Sequence, residues 1–198
     1  MLITALIRPV KRGLALPTDC TLLIQNVGDV GNCAMSTDVP MKPHSIKPMP
    51  ETEFGTASLS DLHDLRTLYA ALRPHDPDYA QDEAEQALSN VLAQKHIKLI
   101  VARLDGHVVA TCMLALIANF ANAGRPIGCI EHVITAEHCR GRGIGRSMLA
   151  YALDLAWQHN CCKVILLSGV QRDEAHRLYA SVGFDGDRER GFVIKAPE

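Results

Sequence analysis

Apolar positions fall into two kinds of stretch, some at helical spacing and some nearly continuous, and their alternation outlines the chain from Phe54 onward. Leu62, Leu65, Leu68, Tyr69 and Leu72 recur at intervals of three and four, which predicts an amphipathic helix with Ser60 as its N-cap and Pro74 and Pro77 beyond its end. A second helix is expected near Asp82 to Lys95. Ile97 to Arg103 and His107 to Ile117 are apolar runs rich in β-branched residues, joined through Leu104-Asp105-Gly106. Asp-Gly at such a junction predicts a tight hairpin and hence an antiparallel strand pair. After a polar loop containing Asn119, Asn122, Gly124 and Pro126, a strand is predicted at Ile127 to Thr135, then a helix with Ile144, Met148, Ala152 and Leu155 on one face. A strand at Val164 to Ser168 and a helix from about Arg172 to Val182 complete the pattern, with Gly183 as the helix stop. Strand, helix, strand, helix at the end of an antiparallel run predicts a mixed α+β fold with a locally parallel layer.

Residues 1–50 break this regularity. Gly28, Gly31, Pro40, Pro43, Pro48 and Pro50 interrupt any periodicity, so this part is expected to be an irregular N-terminal extension to a domain spanning residues 51–198. Met35, Met41 and Met49 are alternative starts within it. Its first residues are apolar, but Arg8, Lys11 and Arg12 follow them, the reverse of a secretory signal. The stretch is also basic and acid-poor up to Asp19, as an organellar presequence would be, and both readings stay open.

The 198 residues suit one well-cored domain plus an appendage, and 47% hydrophobic with 21% charged residues is the balance of a soluble globular chain. A formal charge of −2 offers no global field for nucleic acid or an anionic membrane, so neither is expected as a partner. No apolar run approaches the ~20 residues of a transmembrane helix. The seven cysteines are odd in number and form no Cys-x-x-Cys pair, which points to a reducing compartment, the cytoplasm. The nine histidines show no His-x-x-x-His or His-x-Glu spacing, so no metal site is expected.

Any anion must therefore meet a local cluster, and Arg140-Gly141-Arg142-Gly143-Ile144-Gly145-Arg146 is one. The glycines allow a tight turn and close backbone approach, and the helix that follows offers unpaired N–H groups at the positive end of its dipole. Arg140, Arg142 and Arg146 add donors suited to phosphate oxygens, so a diphosphate is the expected ligand. A dinucleotide fingerprint beginning at Gly141 would need glycine where Arg146 stands and an acid where Leu167 and Ser168 stand. A P-loop would need Gly-Lys-Ser/Thr after the glycines, and this is missing.

The loop resembles the Arg/Gln-x-x-Gly-x-Gly/Ala signature of the GNAT acetyltransferase superfamily. The preceding Cys129-Ile130-Glu131-His132-Val133-Ile134-Thr135 is similar to that family's fourth strand, and Ala175 to Phe184 to its last conserved helix and the Gly-Phe after it. The resemblance covers about residues 53–196. It implies a mostly antiparallel central sheet whose parallel strand pair splays at the CoA site, flanked by about four helices. It also implies acetyl-CoA as donor, no metal, and direct attack by an amine in a ternary complex. The pantetheine arm would lie along Val133, Ile134 and Thr135, and the pyrophosphate on Arg140, Gly141, Arg142, Gly143, Ile144, Gly145 and Arg146.

Within that frame Glu131 is the candidate base; its competing reading is a carboxylate paired with Arg or Lys. Tyr179 is the candidate proton donor to the departing thiolate, or an ordinary inward aromatic. Ser168 would reach the pantetheine or the acceptor, or cap the next turn. His132 alternates to the other sheet face and reads as packing, and Cys139 as a small buried hydrophobe. The acceptor is a small-molecule or peptide amine; Asp76, Asp78, Asp82, Glu83 and Glu85 lean toward a cationic one. A homodimer is compatible with all of this, and a non-catalytic acyl-CoA-binding module is the alternative function.

Overall fold

The computed structural model describes residues 51–196 apart from Tyr79, so the expectations for residues 1–50 lie outside the described residues. The elements are β1 (Glu53–Thr56), α1 (Leu62–Leu72), α2 (Gln81–Leu92), β2 (Ile97–Leu104), β3 (His107–Ile117), β4 (Ile127–Thr135), α3 (Ile144–Gln158), β5 (Lys163–Leu166) and α4 (Asp173–Ser181). The five strands form one sheet in chain order, antiparallel from β1 to β4 and parallel between β4 and β5. This is the expected mixed sheet with four helices. No helix among the described residues is long and apolar enough to cross a membrane.

The Asp105-Gly106 turn closes the β2–β3 hairpin with both residues at positive φ (52° and 82°), directly between the paired Leu104 and His107. That is the backbone demanded by a two-residue turn whose twist matches its strands. β1 was not expected. It is only four residues long and holds Gly55, and it becomes a strand because β2 offers it an edge.

The cap of α1 also differs from expectation. Ser58, not Ser60, opens the turn: the Asp61 carboxylate accepts hydrogen bonds from the Ser58 amide (2.7 Å) and hydroxyl (2.9 Å), while the Ser60 hydroxyl only meets that of Ser58. Asp61 also receives Arg103 of β2 at 2.6 Å and 3.2 Å. Burial by itself raises the Asp61 pKa, but the hydrogen bonds from Arg103 and Ser58 outweigh it and hold the carboxyl below its usual range. The start of α1 is thereby fastened to the sheet, and the Asp64 carboxylate adds a bond from the Val108 amide at 2.8 Å.

Side chains leave β2 alternately for two cores. Ile100 and Ala102 join Met148, Leu149, Ala152 and Ala156 of α3, whereas Leu99 and Val101 join Leu62, Leu65 and Leu68 of α1 with Ala84 and Leu88 of α2. A sheet covered on both faces is what the continuous apolar runs require.

Candidate active site

Strand β4 is where the regular sheet ends. Its pairing with β5 stops at Ile130–Leu166, so from Glu131 to Thr135 that edge has no strand partner among the described residues. On its other edge the register with β3 slips: Thr111 pairs with Ile134, but Met113 pairs with Glu131, so Cys112 opposes both His132 and Val133. His132 takes φ +54°, the left-handed region that few residues other than Gly, Asn, Asp and His enter readily. This is a β-bulge, and it reverses the alternation of side chains beyond it. Ile130 and Val133 therefore face the α3 core, while Ile134 faces the α1–α2 core.

The bulge corrects the reading of His132. Glu131 lies opposite Met113, which packs on the α1–α2 side, and the His132 ring sits 5.5 Å from the ring of Tyr69 in α1. Both side chains thus face α1, where simple alternation would have separated them. Burial, then the nearby Cys112 thiol, pushes the Tyr69 phenol up to about 12, so Tyr69 stays neutral.

The glycine loop follows at once. Gly141 and Gly143 have φ of +71° and +80°, and Gly143 is the N-cap of α3, whose first helical bond runs from the Ser147 amide to the Gly143 carbonyl. The first-turn amides of Ile144, Gly145 and Arg146 have no carbonyl available within the helix. A Cβ on Gly145 would lie 3.2 Å from Thr135 Oγ1 and 3.5 Å from Leu178 Cδ2, so its lack of a side chain lets α3 pack tightly on β4 and α4. Around Gly141 and Gly143 there is open space instead. Arg140, Arg142 and Arg146 are exposed, and the Arg140 Nε–H donates to the Thr135 carbonyl at 3.2 Å. Ile144 and Cys139 are buried in the α3 core, so Ile144 contributes its amide rather than its side chain.

Two adjoining cavities border β4 and share Leu72, Val133 and Arg172. One, of about 340 Å³, is lined by Ala71, Leu72, Val133, Ile134, Arg140 and Arg172. The other, of about 200 Å³, includes Glu131, His132, Val133 and Tyr179 with Leu72, Arg73, Leu167 and Arg172. Tyr179 belongs to the α3 core and Glu131 to the α1 side, so the second cavity is bordered from both faces of the sheet, at the gap where β5 has ended.

Tyr179 is held by the end of its own helix. The Phe184 amide donates to the Tyr179 carbonyl and the Gly183 amide to Ala180, with Gly183 at φ +98° and the two aromatic rings edge-on at 6.3 Å. These are the paired bonds and apolar contact of a Schellman stop. Burial raises the Tyr179 pKa, Arg172 opposes it, and Glu131 and Cys112 add to it; the net shift is upward. Glu131 itself has no ion pair among the described residues.

A family model for the acetyltransferase (GNAT) family matches residues 60–184, more than half of the chain. The chain belongs to the GNAT acetyltransferase family.

As an acyltransferase of this family it is 28% identical over 126 residues to an aminoglycoside N(6')-acetyltransferase type 1 of Serratia marcescens, covering 62% of this chain and 86% of that protein. Among solved structures it is similar to a protein of Agrobacterium tumefaciens strain C58 assigned as an acetyltransferase, with TM-score 0.70 and 38% identity over 73% of this chain and 99% of that one. It also shares the fold of AAC(6')-Iy in complex with a bisubstrate analogue, CoA-S-monomethyl-acetylneamine. There the TM-score is 0.63 and the identity 17%, over 74% of this chain and 99% of that one.

In this GNAT chain Val133, Ile134, Arg140, Glu131 and Tyr179 gather around the cavities, while Ser168 does not line either one. The Ser168 hydroxyl is buried and has no hydrogen-bond partner among the described residues, so it does not cap the next turn. Arg172 and His132 were not singled out from the sequence as site residues. Arg172 reads there as the start of a helix and His132 as packing; the one available signal was that histidine tolerates a left-handed backbone. Of the acids of the α1–α2 connection, Asp76 meets the cavity-lining Arg73 at 3.7 Å and the others are engaged elsewhere or line neither cavity. Asp78 pairs with Arg66 at 2.9 Å, Glu83 accepts the Ala80 amide and Glu85 accepts from Gln81, and none of the five lines a cavity.

Proposed function

We propose that residues 51–198 are an N-acetyltransferase domain, preceded by an extension over residues 1–50, and that it moves an acetyl group from acetyl-CoA to a primary amine by direct attack in a ternary complex. The observation that carries this reading is the second cavity, where Glu131 and Tyr179 meet beside the unpaired edge of β4, adjoining the cavity that Arg140 lines. A module that only binds acyl-CoA needs the loop but neither of these groups, so the enzyme reading is preferred. The five described cysteines are free thiols, which supports a cytoplasmic setting.

The residues suit the donor. Positive-φ glycines with open space beside them, first-turn amides and three exposed arginines form a cradle for a diphosphate. The unpaired edge at Val133, Ile134 and Thr135 offers backbone groups to the amide-bearing pantetheine arm, and the orphan Ser168 hydroxyl is a further donor near the strand end. When bound, acetyl-CoA supplies the thioester whose carbonyl carbon is attacked.

The chain's own groups then manage two protons. An ammonium has no lone pair, so Glu131 takes one proton, directly or through water, before the C–N bond forms, and the second proton shed by the new amide nitrogen replaces the one that Tyr179 gives to the sulfur. A backbone N–H of the β4 edge stabilises the oxygen on which charge develops. As the C–S bond breaks, the Tyr179 hydroxyl donates toward the sulfur. Its raised pKa keeps it protonated across neutral pH and makes it an oriented donor rather than a ready acid. A thiol-release screen over amines, polyamines, amino acids and peptides tests the reading; tight CoA binding with no amine-dependent release would sink it.

A further inference from the structure

The second cavity carries an excess of positive charge among its lining residues. Arg73 and Arg172 both line it, and Glu131 is its only lining carboxylate. Arg172 is exposed and has neither ion pair nor hydrogen-bonded partner for its guanidinium among the described residues, although Asp173 and Glu174 follow it directly in the chain. Arg73 has only a long contact to Asp76, at 3.7 Å between two largely exposed side chains. Exposed pairs of that kind hold little of either charge. The two arginines come from separate elements, one at the C-cap of α1 and the other at the N-cap of α4.

Resting on the proposed acetyl transfer, we infer that the acceptor is a small amine that also carries an oxyanion, a phosphate, phosphonate or carboxylate, held between Arg73 and Arg172 while its amine faces Glu131. A guanidinium presents a planar fork that matches such groups, and two of them around one site favour a single compact anion. A polyamine or other multiply cationic acceptor would meet like charge from both arginines. Of the acids between α1 and α2 none lines either cavity, and Asp76 reaches Arg73 only at 3.7 Å.

The test compares O-phosphoethanolamine with ethanolamine and spermidine as acceptors at saturating acetyl-CoA. The wild-type chain is expected to favour the phosphorylated amine over ethanolamine in kcat/KM by ~10-fold or more, as a charge-assisted arginine contact allows, mostly through KM. Arg73→Gln with Arg172→Gln should bring that ratio close to one, and Arg172→Glu should turn preference toward spermidine. A wild-type preference for spermidine, or a ratio that the double variant leaves unchanged, overturns the inference. So does an Arg172→Gln variant that raises the KM for acetyl-CoA and leaves the acceptor ratio alone, since Arg172 would then serve the donor. If no amine releases thiol, the acetyl-transfer reading fails, and calorimetric titration of O-phosphoethanolamine into the CoA-loaded protein still decides the anion site. Binding that the double variant loses supports it, and no binding to the wild type overturns it.

Discussion

The glycine loop and the wall formed by Leu72, Arg73 and Arg172 border the same cleft, yet they are built in different ways. The loop is one contiguous stretch whose backbone conformation is set by the glycines at its own positions, with φ of +71° and +80° at Gly141 and Gly143. The opposite wall is assembled from the end of α1, the bulge of β4, the end of β5 and the start of α4, which are distant in sequence. A phosphate cradle made of main-chain amides depends on local geometry. A wall made of side chains depends on how separate elements are anchored, and here the anchors are the Asp61–Arg103 pair, the bulge at His132 and the Schellman stop at Gly183.

The largest effect is expected at the loop. Gly143→Asp places a negative charge against the diphosphate and forces a non-glycine residue to φ +80°, so CoA affinity should fall by more than ~100-fold in a calorimetric titration. Gly143→Ala separates the two causes: there is room for its Cβ, so it should retain most of the affinity and lose only the ~1 kcal/mol of backbone strain. Equal losses in both variants would mean that conformation alone, and not charge, governs the cradle.

Changes at the opposite wall should spare CoA affinity and act on turnover or folding. Glu131→Gln should lower kcat by ~100-fold with acetyl-CoA affinity retained, the scale of a lost general base. An unchanged kcat would return Glu131 to a structural role. Asp61→Asn should lower stability by about 2 kcal/mol, because the part-buried hydrogen bonds from Arg103 lose their anion while Arg103 keeps its charge. The sign with pH is definite: a depressed folded pKa stabilises above the ordinary carboxylate range and is lost as pH falls through the folded value. Urea midpoints of the wild type should thus converge on those of Asp61→Asn as pH falls from neutral through and below the ordinary carboxylate range. A constant gap would contradict the assignment. Tyr179→Phe should give the smallest change, ~10-fold in kcat, with little effect on acetyl-CoA affinity. Equal activity would make Tyr179 an ordinary core aromatic.

The same contrast explains what could be read from the sequence. Asp105-Gly106, Gly183 and the glycines of the loop act where they stand, so the hairpin, the end of α4 and the positive-φ turn into α3 were all legible. The short strand β1 was not, because Glu53 to Thr56 have no strand pattern of their own and gain one from the edge of β2. Ser60 was a fair cap by position, but Asp61 has an added partner in Arg103, 42 residues away, and the turn forms around it. The bulge was hidden for a related reason. Ile130, His132 and Ile134 fit an unbroken alternation, and only the pairing with β3 shows that one residue is extra. That one residue turns His132 toward α1 and opens the question of acceptor charge that Arg73 and Arg172 pose.

The central claim is that the acetyl group passes straight to an amine in the cleft beside β4, with no acyl-enzyme formed on the chain. The most direct measurement mixes enzyme and acetyl-CoA at comparable concentrations and follows free thiol before and after an amine is added. The account predicts no thiol burst without amine, followed by release matched one-to-one with acetylated amine, and loss of that release in Gly143→Asp. A stoichiometric burst before any amine is present, or silence with every amine despite bound CoA, would contradict it.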